Sequence, residues 1–177
     1  MQSAELAILD WIQLHLRCGF LDAAMPAVSF ICNHGEVWIL LAAILLLIKK
    51  HRRTGAAVSC ALVLDLVVCN LILKPLIGRV RPFAVHPAEL LVPPPLDASF
   101  PSGHTMASFA AVFALRACGS RLWVPALVLA LAIAFSRLYL YVHWPSDVLF
   151  GAILGAAAGY AGAWLVRRAM ERKAPKR

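Results

Sequence analysis

Long apolar runs separated by short polar islands set the pattern of this chain. "VWILLAAILLLI" (37 to 48) and "AAVSCALVLDLVVCNLIL" (56 to 73) are the clearest runs. Crossing the hydrocarbon core takes about 20 mostly apolar residues in a helix. Five stretches approach that length. The first must extend from 37–48 back through the polar "CNHGE" towards Pro26, and the second is 56–73, which Pro75 is expected to end at Lys74. The third runs from about Gly103 to Ala117, the fourth from Leu122 to about Arg137, and the fifth from about Asp147 to Val166. The third and fourth are short, which puts their polar ends at the interface. Upstream, Leu6, Leu9, Ile12 and Leu16 alternate with charges as in an interfacial amphipathic helix. Residues 19–33 fit either a second surface helix or a sixth span. The expected architecture is all-α: a polytopic transmembrane helix bundle of five firm spans, preceded by the surface helix. It forms one domain, with surface helices over 1–33, a catalytic bundle over 34–166 and a basic tail over 167–177.

Composition supports the membrane reading. Apolar residues make up 62% of the 177 and charged residues 15%, against roughly 45–50% and 25% in soluble domains. Asp10, His15 and Arg17 interrupt the N-terminal apolar run, so the helices themselves, and not a cleaved signal, are expected to anchor the chain. The net charge of +8 sits in short clusters between apolar runs, which argues against a nucleic-acid-binding face. "KKHRR" (49–53), "RACGSR" (116–121) and "RRAMERKAPKR" (167–177) hold four, two and six of the 17 basic residues. The intervening spans put all three on one side, the cytoplasm by the positive-inside rule. Lys74, Arg79, Arg81 and Arg137 fall on the opposite face, where cations need a local reason. The five cysteines are scattered without a C-x-x-C pair and read as packing residues.

Three polar islands share that outer face. "KPLIGRVRP" (74–82) supplies Lys74 and Arg81, which could merely snorkel if taken alone. "PSGH" (101–104) stands at a helix start. There unpaired N–H groups and the positive dipole end favour an anion, with Ser102 capping or donating and Gly103 letting the anion touch backbone. In "SRLYLYVHWPSD" (136–147), His143 precedes Asp147 by four residues. A carboxylate on one imidazole nitrogen fixes the tautomer and raises the basicity of the other, as a nucleophile or base requires. Cations, helix-end donors and two histidines on one membrane face suit transfer of a phosphoryl group from a phosphorylated lipid.

Lys74 to Pro82 fits K-x6-R-P, Pro101 to His104 is P-S-G-H, and Ser136 to Asp147 fits S-R-x5-H-x3-D. In order and spacing this resembles the three-part signature of the type 2 phosphatidic acid phosphatases, whose soluble relatives include vanadium haloperoxidases. The resemblance covers about residues 35–166. It implies a phosphatase needing neither metal nor cofactor, in which His143, oriented by Asp147, becomes phosphohistidine and His104 protonates the leaving oxygen. Lys74, Arg81, Ser102, Gly103 and Arg137 would hold the phosphoryl oxygens. Arg79 lies outside the signature and is expected at the rim, against a second phosphate or a headgroup.

"RPFAVH", a Pro-rich loop and "DASFPSGHT" look similar to bacterial undecaprenyl-diphosphate phosphatases of this family. That makes undecaprenyl diphosphate the expected substrate, with phosphatidylglycerophosphate or phosphatidic acid as alternatives. Asp65, inside the second span, raises a different reading, a transporter, which would have no use for the pairing of His143 with Asp147. Glu89 and Asp97 read as plain loop carboxylates, and His34, His51 and His86 as interfacial or loop residues. Small residues at Gly151, Gly155, Gly159 and Ala163 suit packing within the bundle or against another chain, so the oligomeric state is open.

Overall fold

Every regular element among the described residues, 2–173, is helical in this computed structural model. Met1 and residues 174–177, the end of the expected basic tail, lie outside the described residues. The order is α1 (Gln2–Leu16), α2 (Gly19–Phe30), α3 (Glu36–Leu47), α4 (Arg52–Asp65), α5 (Lys74–Ile77), α6 (Pro82–Val85), α7 (Gly103–Ala117), α8 (Trp123–Tyr139) and α9 (Pro145–Lys173). A 3₁₀ turn over Lys49–His51 leads into α4, and a π-helical segment over Leu66–Leu73 joins α4 to α5.

Among the described residues, two stretches are long and apolar enough to cross a membrane, Lys49–Val85 and Pro145–Arg172. At 12, 15 and 17 residues, α3, α7 and α8 rise only about 18, 23 and 26 Å, short of a roughly 30 Å core. The first expected span is not one helix. A turn after α2 and Gly35, at φ 78, break it, and α3 restarts at Glu36. Nor does Pro75 stop the second: Lys74 is helical at φ −61, and the helix ends at Gly78, φ 57. Pro75 occupies the first turn of a new α-helical register after the π segment, where its missing N–H breaks no bond.

α7 is the central helix, packed against α9, α8 and α4. The close approach comes from small residues. A Cβ on Gly155 would stand 2.3 Å from the Met106 carbonyl oxygen, and one on Gly162 would stand 2.7 Å from the Ala61 nitrogen. The glycines of α9 are therefore spent inside the bundle. Ala57, Ala61, Ala110, Ala111 and Ala114 fill the seam between α4, α7 and α9, all fully buried.

α1 lies across the end of the bundle where the polar islands meet. Leu9 and Ile12 are buried against Tyr139, Tyr141, Val142 and Trp144, while Ile8, Trp11 and Leu14 point outward. The apolar stripe expected to face lipid instead faces protein, and a second stripe is exposed.

Candidate active site

Two loops bring the polar islands together, 86–102 between α6 and α7 and 140–144 between α8 and α9. Arg81 ties them. Its Nε donates to the Asp97 carbonyl (2.9 Å) and its Nη2 to Asp97 Oδ1 (2.7 Å), while Nη1 donates to the Val142 carbonyl (2.6 Å) and lies 3.2 Å from His143 Nε2. A guanidinium only donates, so the His143 proton is assigned to Nδ1 and the Nε2 lone pair faces Arg81. Tyr141, at φ 59, reverses the chain just before His143 and is buried, with its hydroxyl donating to Asp10 of α1 (2.8 Å). That left-handed conformation is uncommon for a bulky residue and is held here by the surrounding packing.

Asp147 stands behind His143, fully buried. Its Oδ2 accepts from Ser99 Oγ (2.5 Å) and the Trp144 N–H (3.0 Å), and its Oδ1 from Arg79 Nη1 (2.5 Å). His143 Nδ1 is 3.5 Å from Oδ2 and has no hydrogen-bond partner, so a closing movement of about half an ångström separates the pair from a full hydrogen bond. Burial, reinforced by the charges of Arg81 and Arg137 and opposed by Asp147, holds the His143 imidazole at about 3. It is therefore neutral, with a free lone pair, at neutral pH.

Arg79 is turned inward, not to the rim. Besides Asp147, it donates from Nη1 to Ser146 Oγ (2.6 Å) and from Nη2 to Glu5 Oε2 (2.6 Å), with its guanidinium over the Trp144 ring. Glu5 Oε1 accepts from the Ser146 N–H (2.9 Å) and Oγ (2.6 Å). Glu5, Arg79 and Asp147 thus form a line of alternating charge from α1 to the neutral His143 imidazole.

Asp97 is more than a loop carboxylate, because it bridges Lys74 Nζ and Arg81. Partial burial pushes its carboxyl up, but Lys74 and Arg81 outweigh this and hold it at about 2. At the start of α7 the Ser102 hydroxyl pairs with Thr105 Oγ1 (3.0 Å) and makes no cap bond, so of the two expected roles the cap is not the one it takes. A Cβ on Gly103 would stand 3.7 Å from Lys74 Nζ and 3.6 Å from Cys69 Sγ. The missing side chain leaves an anion access both to the ammonium and to the first N–H groups of the helix.

A cavity of about 1390 Å³ opens in front of these groups, with Lys74, Arg81, Gly103, His104, Arg137 and His143 in its wall. Ser102 and Asp147 stand behind it, both fully buried. His104 Nε2 lies 3.2 Å from Asn33 Oδ1, and Ser108 Oγ donates to its carbonyl (2.7 Å). Arg137 Nη1 donates to Ser29 Oγ, while its buried Nε has no partner; a buried donor left open in a cavity wall suits an incoming acceptor. Away from this polar end the lining turns apolar at Leu46, Leu62 and Val63, as a lipid tail requires. Asp65, 7% exposed, interrupts that lining, and its Oδ1 has no partner.

The residues that sequence reasoning missed are Glu5, Ser29, Asn33, Asp97 and Ser99. Their contacts join segments more than fifteen residues apart, which no local spacing reveals. Arg79 carried one signal, a cation outside both the three basic clusters and the signature.

Residues 54–171 match the PAP2 superfamily. An undecaprenyl-diphosphatase of Sulfolobus acidocaldarius is 36% identical over 131 residues, which span 72% of this chain but only 63% of that protein. A decaprenylphosphoryl-5-phosphoribose phosphatase of Mycobacterium tuberculosis is 35% identical over 159 residues, 88% of this chain and 86% of that one. A crystal structure of a transmembrane PAP2 type phosphatidylglycerolphosphate phosphatase from Bacillus subtilis aligns with a TM-score of 0.75 at 26% identity, over 99% of this chain and 89% of that one. With a family match over two thirds of its length and relatives alike in sequence and fold, the chain belongs to the PAP2 superfamily.

Proposed function

We propose that this chain is a metal-independent phosphatase of phosphorylated membrane lipids that works through a phosphohistidine. The observation that carries the reading is the placement of His143, with its Nε2 beside Arg81 on the cavity and its Nδ1 towards Asp147. The neutral Nε2 attacks phosphorus, the Nε2–P bond forms and the bond from phosphorus to the leaving oxygen breaks. His104 gives that oxygen its proton. The neutral His104 then takes a proton from water, whose oxygen attacks phosphorus, and Nε2–P cleavage releases phosphate. Asp147 offsets the positive charge that His143 carries in between. Lys74, Arg81 and Arg137, with the N–H groups at Gly103, hold the phosphoryl oxygens and offset their charge.

Rapid acid or base quench of the purified protein with a ³²P-labelled lipid phosphate tests this. A base-stable, acid-labile label that disappears in His143→Ala is expected; turnover in wild type with no trapped label on the histidine at any time point, or a label that survives that substitution, rejects the mechanism. By the positive-inside rule the three basic clusters argue for a site on the extracytoplasmic face and a cytoplasmic C-terminus. A cysteine at Glu89 should then react with a membrane-impermeant reagent in intact cells, and labelling only after lysis reverses the orientation.

Undecaprenyl diphosphate is the first substrate to consider, in keeping with the Sulfolobus relative. The Mycobacterium relative is named for a substrate whose phosphate sits on a ribose, and one observation favours that second type: a carboxyl group in the cavity wall, where a bare prenyl chain offers it nothing.

A further inference from the structure

Asp65 serves none of the steps above, yet it is over nine-tenths buried and lines the catalytic cavity. Its Oδ1 has no hydrogen-bond partner, and a buried polar atom in that condition costs about as much as a lost hydrogen bond. The helix changes register immediately after it, from α4 to the π segment Leu66–Leu73, an irregularity that recurs at functional sites. This change also brings Asn70 into the cavity wall. Cys69, four residues on, is packed at the phosphate cradle beside Gly103, and Asn70 Oδ1 would lie 4.0 Å from a Cβ there. Asp65 is therefore about one helical turn, roughly 6 Å along the helix, from the cradle, at the part of the cavity where Leu62 and Val63 make the lining apolar.

We infer that Asp65, with Asn70, is a subsite for a hydroxyl on the leaving group, so the substrate is a lipid phosphate whose ester carbon is followed within a few atoms by a free hydroxyl. The inference rests on the phosphatase reading and takes the second of its two substrate types. The spacing suits a glycerol or sugar unit between the cleaved phosphate and the lipid tail. A hydroxyl there donates to the Asp65 carboxylate, whereas a prenyl or acyl methylene leaves the carboxylate unpaired against hydrocarbon. Such a site discriminates mainly against the analogue lacking the donor.

Two matched substrates in mixed micelles test it: phosphatidylglycerophosphate, which has a hydroxyl on the carbon next to the ester carbon, and its analogue with a methylene there. Wild type should prefer the hydroxylated lipid by about tenfold or more in kcat/KM. Asp65→Leu should lose that preference, so that its two lipid rates become equal, and Asp65→Asn, which can still accept, should retain part of it. Hydrolysis of p-nitrophenyl phosphate reports that each variant is folded. Equal rates on the two lipids in wild type overturn the inference, as does a preference that survives in Asp65→Leu. So does an equal loss on both lipids and on the aryl phosphate in both variants, since that marks Asp65 as a structural residue. Failure of the phosphatase reading looks different, because wild type would then release phosphate from none of the three.

Discussion

Glu5 lies on the surface helix, far in sequence from the signature, yet its removal should slow the chemical step. Glu5 Oε2 is 2.6 Å from Arg79, and Arg79 is 2.5 Å from Asp147, whose other oxygen is 3.5 Å from His143. In the proposed mechanism the His143 ring becomes positive as it attacks phosphorus. Asp147 stabilises that charge, Arg79 opposes it and Glu5 cancels much of Arg79. Glu5→Gln keeps the shape and still accepts from Ser146, but removes one of the two anions that pair with the guanidinium and leaves it only Asp147. With side-chain exposures of 12% for Glu5, 21% for Arg79 and 0% for Asp147, an effective dielectric near 20 applies. At a separation of about 10 Å the lost term is about 1 to 2 kcal/mol after some solvent screening. That is about a five- to thirtyfold drop in kcat.

The measurement is kcat and KM on a lipid phosphate, with the single-turnover rate of phosphoenzyme formation. KM should stay near wild type, since neither Glu5 nor Arg79 lines the cavity. Uncovering a positive charge lowers the His143 pKa further, so any acid limb due to that residue moves to lower pH. The double variant Glu5→Gln with Arg79→Gln removes one charge of each sign and should recover part of the rate lost in Glu5→Gln alone. An unchanged kcat in Glu5→Gln refutes the charge relay. A rise in KM at constant kcat refutes it too, and would return Arg79 to the rim as a headgroup contact.

Three further outcomes are expected. His143→Ala should be inactive on every substrate, whereas His104→Ala should lose about 10²- to 10⁴-fold on an alkyl lipid phosphate and regain most of it on an aryl phosphate, whose leaving group needs no proton; equal rescue of both by the aryl substrate would assign the roles wrongly. Asp97→Asn should tighten inhibition by inorganic phosphate about two- to tenfold, because Lys74 and Arg81 lose their internal anion; since that carboxyl is held at about 2 against an ordinary 3.8, its contribution to stability is complete above about pH 4 and fades as pH falls towards 2. Gly155→Ala puts a methyl group 2.3 Å from the Met106 carbonyl and should destabilise by about 1 to 3 kcal/mol, read as a lower Tm in detergent, while Gly19→Ala, with nothing within 4 Å, should leave Tm unchanged.

What the sequence conveyed about the site and what it concealed divide along one physical line. Motifs are legible where chemistry depends on spacing within one segment. His143 and Asp147 are four residues apart, and "PSGH" meets the first turn of α7, so both could be placed before any coordinates. Helix ends set by local conformation were less legible. The pre-proline bias at Lys74 is real, but the π segment upstream moved the register so that Pro75 begins a turn and does not end one. The amphipathic pattern of α1 predicts a helix, and Gln2–Leu16 forms one, but periodicity alone does not say whether an apolar stripe meets lipid or protein. Tyr141 and Trp144 decided that by offering Leu9 a buried seat. The charges of Arg79, Glu5 and Asp97 were least legible, since a charged side chain takes its meaning from partners that only the fold supplies. Arg79 shows the limit most clearly. In the sequence it is a cation outside both the signature and the three basic clusters, and its partners are a carboxylate 74 residues upstream and another 68 downstream, brought together because α1 folds back over the loop that carries His143.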